Sequence, residues 1–244
     1  MTVLAVIGGT GADYFPGRKA TQEHVTANVW GQLSAPIEEW EAHGHRVLFL
    51  ARHGTGGGIP PHRVNYRANL QGLREAGAEQ IIALNAVGGI SISAGKLMVP
   101  DQLIDYTWGR GHSYYDSAEA PIEFIDFTKP YSDILRNGLI KACARAGVAV
   151  TSRGTYGVTQ GPRLETAAEI DRLERDGCDV VGMTAMPEAA LARELGIPYA
   201  ALAMTVNAAA GRDATHGIHA DIARHIKSTV ADAARVIDAY LGAL

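Results

Sequence analysis

Cysteine is scarce in this chain: Cys143 and Cys178 are the only two. At most one bridge can form, which excludes the disulfide framework of a small secreted domain. A run of about 18 uninterrupted apolar residues is missing as well, and with it the sequence signal of a membrane-spanning helix. The opening residues Met1-Thr2-Val3-Leu4-Ala5-Val6-Ile7-Gly8 carry no basic flank, and their apolar run is short. They do not read as a signal peptide, so a cytoplasmic protein is expected. Positive charge is not in excess: 22 Lys and Arg stand against 26 Asp and Glu, a net charge of −4. Neither nucleic acid nor an anionic membrane is an expected partner. Long linkers, low-complexity tracts and internal repeats are also absent, so residues 1–244 read as a single domain.

Apolar residues and glycine are what the chain has in quantity. The apolar share is 47%, enough for a sizeable core, and 28 glycines occur, many in short clusters. Val3–Ile7 is a β-branched apolar run that stops at Gly8-Gly9-Thr10-Gly11. The same pattern recurs at Arg46–Ala51 before Arg52-His53-Gly54, and at Gln80–Leu84 before Asn85-Ala86-Val87-Gly88-Gly89. It recurs again at Asp179–Gly182 before Met183-Thr184, and at Tyr199–Met204 before Thr205-Val206-Asn207. Each reads as a buried strand that runs into a polar or glycine-rich tip. Helical spacing marks Asn65–Ala76, Ser132–Ala146, Thr166–Arg175, Pro187–Leu195 and about Asp221–Leu241. Thr166 and Glu169 have the spacing of a capping box. The alternation predicts an α/β fold, a central mixed β-sheet flanked by helices, with ligands at the carboxyl ends of the strands. The irregular stretches Gly54–Pro61 and Thr107–Tyr131 are expected to cover the site.

The tips carry the chemistry. Gly8-Gly9-Thr10-Gly11 lacks the Lys-Ser/Thr of a Walker loop and the third glycine of a dinucleotide fingerprint. A nest of backbone N–H groups with the Thr10 hydroxyl remains, which suits an oxyanion; a plain turn is the alternative. Arg52 offers a planar fork for two oxygens of a phosphate or carboxylate, and His53 can donate to the same anion. Thr184 adds a hydroxyl and Met183 a flexible apolar floor. Glu165, in a Gly-Pro turn before the capped helix, can accept an N–H from a ligand or simply face a helix dipole. Asn207 can donate and accept at once, as a heteroaromatic edge requires. The histidines have no companion pattern of a zinc site, no Gly-x-Ser-x-Gly elbow occurs, and neither cysteine lies in a glycine-rich tip. No metal and no covalent nucleophile are expected.

Taken in order, Ile7-Gly8-Gly9-Thr10-Gly11, Arg52-His53-Gly54, Asn65-Tyr66-Arg67-Ala68-Asn69, Asn85-Ala86-Val87-Gly88-Gly89, Gly161-Pro162-Arg163-Leu164-Glu165-Thr166 and Gly182-Met183-Thr184-Ala185-Met186-Pro187-Glu188 resemble the trimeric purine nucleoside phosphorylase and methylthioadenosine phosphorylase family. The match runs from about Val3 to Ile237, and it is nearest the bacterial methylthioinosine-cleaving branch. The resemblance implies that inorganic phosphate is co-substrate, that it attacks C1′ of the ribose, and that a purine leaves, with no cofactor. It implies that Thr10, Arg52, His53, the Ala86 backbone and Thr184 hold phosphate. Met183 would lie under the ribose and Leu164 over a base face. Asn85 stands where the adenosine-type branch has threonine.

Base choice follows from a departure. Adenine-acting members resemble one another in a strand-end Thr-Asp-x-Asp, whereas this chain has Val206-Asn207-Ala208-Ala209. They also carry serine where Glu165 stands. Glu165 can accept from N1–H of a 6-oxopurine, and Asn207 can serve N7 and O6. These two are the expected catalytic pair, with Ala209 beside the base. In members acting on ordinary nucleosides, a histidine near the start of the last helix meets the 5′-hydroxyl. Ile218-His219-Ala220-Asp221-Ile222 therefore predicts that His219 reads the 5′ group, with cleavage of both methylthioinosine and inosine; a surface histidine is the alternative. The expected activity is phosphorolysis of 6-oxopurine nucleosides, methylthioinosine, inosine or guanosine, by a homotrimer, the aromatic-rich stretch Tyr106–Tyr131 crossing to the neighbour. A methylthioadenosine phosphorylase is the second reading, and a non-catalytic binder of planar ligands the third.

Overall fold

The computed structural model describes residues 1–16, 22–23, 26–116, 122–213 and 217–244. In chain order the strands begin with β1 (Val3–Gly8), β2 (Gln22–Glu23), β3 (Ala27–Asn28), β4 (Gly31–Gln32), β5 (Glu38–Ala42) and β6 (His45–Ala51). Helix α1 (Tyr66–Glu75) is followed by β7 (Gln80–Gly89), β8 (Leu97–Met98), β9 (Gln102–Asp105) and α2 (Asp133–Arg145). Then come β10 (Val150–Thr151), β11 (Thr155–Val158), α3 (Ala167–Arg175), β12 (Val180–Gly182), α4 (Glu188–Glu194), β13 (Tyr199–Ala208) and α5 (Ile218–Leu241).

The sheet is mixed, as its sequence pattern predicts. Its main path runs β10-β8-β13-β7-β1-β6-β5-β2, while β11 joins β12 to β9 and β12 leans on β7. Strands β6, β1, β7 and β13 are mutually parallel, so the tips that follow them emerge at one edge. Every residue of β1 is buried, and Phe49, Leu50, Ile81, Ile82, Leu202 and Met204 surround it in one core. A fully buried side chain of this kind contributes about 1.5–3 kcal/mol, which explains why these runs are continuous rather than alternating. Helix α5 packs on β13 and α2. Among the described residues no helix is long and apolar enough to cross a membrane.

Several boundaries differ from the sequence pattern for physical reasons. Asn85–Gly89 and Thr205–Ala208 are strand rather than tip, because β7 and β13 stay paired to Gly89 and Ala208 and β12 pairs with the same end of β7. Their register slips between Thr205 and Asn207, and this bulge re-aims Asn207. Helix α5 starts at Ile218, earlier than its apolar stripe suggests. Strands β5, β9 and β11 carry no continuous apolar run, and sequence reading passes over them.

Helix α3 carries its capping box: the Thr166 hydroxyl accepts from Glu169 N at 3.1 Å and Glu169 Oε2 accepts from Thr166 N at 2.8 Å. Arg163 donates to both Glu169 oxygens, at 2.8 and 2.7 Å. The Arg163 hydrogen bonds, followed by the Thr166 N–H, pull the Glu169 pKa from 4.5 to about 2. A folded pKa below the unfolded one gives stability that is present above 4.5 and is lost as pH falls toward about 2. Replacing Glu169 by Gln is therefore expected to flatten the acid limb in that window. Urea midpoints measured across it check this; an unchanged acid limb would contradict it.

Candidate active site

A cavity of about 660 Å³ opens where the strand ends converge. Gly9 and Thr10 reach it from the end of β1, Arg52 and His53 from β6, Ala86 and Gly88 from β7. Met183 and Thr184 follow β12, Asn207 and Ala209 close β13, and Leu164 and Glu165 precede α3. Residues 56–61 supply an outer wall, as the sequence predicts for that loop.

Arg52 does not sit as a free fork. Its side chain is wholly buried and donates from Nε and Nη2 to the two oxygens of Glu188, at 2.7 and 2.8 Å. Nη1 donates to Leu84 O at 3.1 Å, leaving one further N–H on each terminal nitrogen. Glu188, equally buried, also accepts from the Tyr199 hydroxyl at 2.9 Å. Burial opposes the Arg52 charge, and the Glu188 carboxylate more than offsets it, so the guanidinium pKa is raised. A Cβ on Gly9 would lie 2.8 Å from Arg52 Nη1 and 2.9 Å from Leu84 O, so only glycine lets the β1 turn close over this arginine.

His53 is likewise already engaged. Its Nδ1 lies 2.8 Å from Ile59 O, and Ile59 N donates to His53 O at 2.9 Å. A carbonyl can only accept, so Nδ1 carries the proton and Nε2 is left for a ligand. Burial, then the Arg52 charge, lower its pKa. The Thr184 hydroxyl accepts from Asn85 Nδ2 at 2.9 Å and so turns its own proton elsewhere.

At the other end, Glu165 Oε1 accepts from the Thr159 hydroxyl at 2.6 Å, leaving Oε2. Asn207 is buried, with one amide N–H on Ala208 O at 2.7 Å and one to spare. Met183 packs under Gly161, where a Cβ would meet its sulfur at 2.4 Å.

The structure brings Thr10, Arg52, His53, Ala86, Leu164, Glu165, Met183, Thr184, Asn207 and Ala209 around one cavity. His219 is the exception: it is exposed on the first turn of α5, and Ile218 and Ile222 line the cavity instead. The expectation that His219 reads the 5′ end is corrected, because helical geometry turns its side chain off the face shared by those isoleucines. Sequence reading also missed Glu188, which lies inside a quoted motif, and Arg110. Arg110 Nη1 donates to Met183 O at 2.8 Å and Met186 O at 2.6 Å, and Nη2 to Gln160 O at 2.8 Å, fixing the cavity floor.

Fold and site together define an α/β protein in which polar groups from several strand ends line one pocket. The comparisons narrow this. The phosphorylase superfamily model matches residues 4–242, so the chain belongs to that superfamily. It is 53% identical to a probable S-methyl-5′-thioinosine phosphorylase of Xanthomonas campestris, over 85% of this chain and 84% of the relative. It is 40% identical to the 6-oxopurine nucleoside phosphorylase of Pyrococcus furiosus, over 97% of this chain and 91% of the relative. The methylthioadenosine phosphorylase of Schistosoma mansoni, solved with tubercidin, superposes with a TM-score of 0.92 at 26% identity, covering 100% of this chain and 91% of that one.

The buried pair makes Arg52→Ala a folding variant first. It leaves Glu188 buried and unpaired, a loss of about 3–5 kcal/mol. Arg52→Met with Glu188→Leu is expected to recover most of that stability but not activity. Denaturant unfolding of the single and double variants checks this; equal losses in both would contradict it.

Proposed function

We propose that the protein catalyses phosphorolysis of S-methyl-5′-thioinosine, giving hypoxanthine and 5-methylthioribose 1-phosphate. The observation that carries the reading is that Glu165 and Asn207 line the same cavity as Thr10, Arg52, His53 and Thr184. Phosphate bound there attacks C1′ as the C1′–N9 bond breaks and its electron pair moves to the purine. Positioning and charge stabilisation supply the rate, with no covalent intermediate. Glu165 Oε2 accepts N1–H, and the spare Asn207 N–H serves N7 or O6. Met183 packs under the sugar, Leu164 covers a base face and Ala209 leaves room beside it.

An adenine nucleoside has no N1–H to give Glu165 and offers an amino group where O6 would be. A mismatch of that kind in a closed site supports discrimination on the order of 10⁴-fold. Ile218 and Ile222 support a methylthio rather than a hydroxyl group at the 5′ end. An unpaired hydroxyl against them costs about 1–3 kcal/mol, or roughly 5- to 150-fold in rate. Relatives named for methylthioinosine are similar over most of the chain and support the same choice.

Hypoxanthine release from methylthioinosine is expected to exceed adenine release from methylthioadenosine, and to exceed release from inosine by about tenfold or more. His219→Ala is expected to leave those ratios unchanged. Glu165→Ser with Asn207→Asp is expected to shift preference toward adenine nucleosides. Faster cleavage of methylthioadenosine by the unaltered protein would overturn the base assignment, and the methylthioadenosine phosphorylase reading would replace it. A lack of turnover on the whole panel would leave only a binder of planar ligands.

The same proposal includes a single domain, a cytoplasmic location and a homotrimer. Trp108 is 70% and Phe124 92% exposed on the stretch expected to cross to a neighbour, of which residues 117–121 lie outside the described ones. Light scattering is expected to give about three chain masses; a fully active monomer would contradict this.

A further inference from the structure

Glu165 belongs to two cavities at once. It lines the large one with Asn207, and it lines a second one of about 250 Å³ with Thr159, Arg163 and Arg172. A glutamate in such a shared wall has several side-chain torsions and two spaces to enter. The arginines of the smaller cavity are cations that attract an untethered carboxylate. Among the described residues, the Glu165 side chain has a single hydrogen bond: the Thr159 hydroxyl donates to Oε1 at 2.6 Å. Gly182 O, the other acceptor within reach of that hydroxyl, is farther, at 3.3 Å. An O–H to carboxylate bond of this length is of the strong, charge-assisted kind.

Thr159 is itself well anchored. It directly follows β11, and its backbone N–H donates to Gly182 O, at the end of β12, at 2.8 Å. Arg110 Nη2 donates to Thr159 O at 3.3 Å and to Gln160 O at 2.8 Å. The hydroxyl is therefore carried by the sheet, whereas Glu165 sits in the turn before α3.

We propose that Thr159 is a positioning residue for base recognition: its hydroxyl holds one oxygen of Glu165 and so presets the other to accept N1–H of a 6-oxopurine. The inference rests on reading Glu165 as the purine acceptor, and adds what keeps that acceptor in place. Ordering the carboxylate before the base arrives removes that cost from binding and from the transition state.

The test compares three variants of the full chain, Thr159→Val, Thr159→Ala and Thr159→Ser, on methylthioinosine and methylthioadenosine. Valine keeps the branched shape without the donor. Alanine and serine both lose the methyl group, and only serine keeps the hydroxyl, so this pair carries the test if the valine variant folds poorly. The valine and alanine variants are expected to lose about tenfold or more in kcat/KM on methylthioinosine. Methylthioadenosine, which has no N1–H for Glu165, is expected to lose little, so the preference between the two narrows. Serine is expected to restore it. In a Glu165→Ala background, Thr159→Val is expected to add no further loss, because its effect passes through the carboxylate. Equal losses on both nucleosides, serine behaving as alanine, or a full additional loss in the Glu165→Ala background would refute the role of Thr159. Failure of the underlying reading has a different signature: the unaltered protein would itself prefer methylthioadenosine.

Discussion

One buried ion pair organises the active end of this molecule. Arg52 follows β6, its backbone N–H donates to Gly8 O at 2.8 Å, and its side chain binds Leu84 O and Glu188. Glu188 opens α4 and takes a further bond from Tyr199, the first residue of β13. A single arginine, through its backbone N–H and its guanidinium, thus ties together strands β1, β6 and β7 and, through Glu188, a helix and a fourth strand. Apolar residues of similar volume can match such a pair in stability, so the pair is weak evidence for stability as such. What they cannot do is leave N–H groups aimed by a fixed frame. The buried carboxylate also cancels the arginine charge, so the anion end relies on aimed hydrogen bonds more than on net positive charge.

The rest of the site follows from that frame. The turn after β1 closes over Arg52 because Gly9 has no side chain. The β13 register slip lies beside Asn207, which lines the cavity together with Glu165, one of whose oxygens is held by Thr159. Arg110 gathers the carbonyls of Met183, Met186 and Gln160, which fixes the floor on which a sugar would rest. Two groups with several possible hydrogen-bonding roles are narrowed by a partner, His53 by the Ile59 carbonyl and Glu165 by the Thr159 hydroxyl.

Much of this was legible in the sequence. Continuous β-branched runs ending in glycine marked β1, β6, β7 and β13, and the tips named the residues that line the cavity. The Thr166–Glu169 spacing foretold a cap that the structure carries. Periodicity could not say that β7 and β13 run on through their polar ends, since that depends on neighbours pairing on both sides. Nor could it separate Ile218 and Ile222 from the core stripe of α5 and show that His219 points away. The partner of Arg52 was beyond reach for a related reason: Glu188 is 136 positions distant, and a carboxylate on a short helix normally faces water. Tautomers are further removed still, because the Ile59 carbonyl that sets His53 belongs to the backbone and is blind to residue type.

The central claim is that phosphate, not water, cleaves the glycosidic bond in this cavity. The most direct measurement is the product balance when the purified protein is supplied with methylthioinosine and isotopically labelled phosphate. The account predicts one labelled 5-methylthioribose 1-phosphate formed for each hypoxanthine released, and negligible release when phosphate is withheld. Free methylthioribose formed at the same rate with or without phosphate would contradict it.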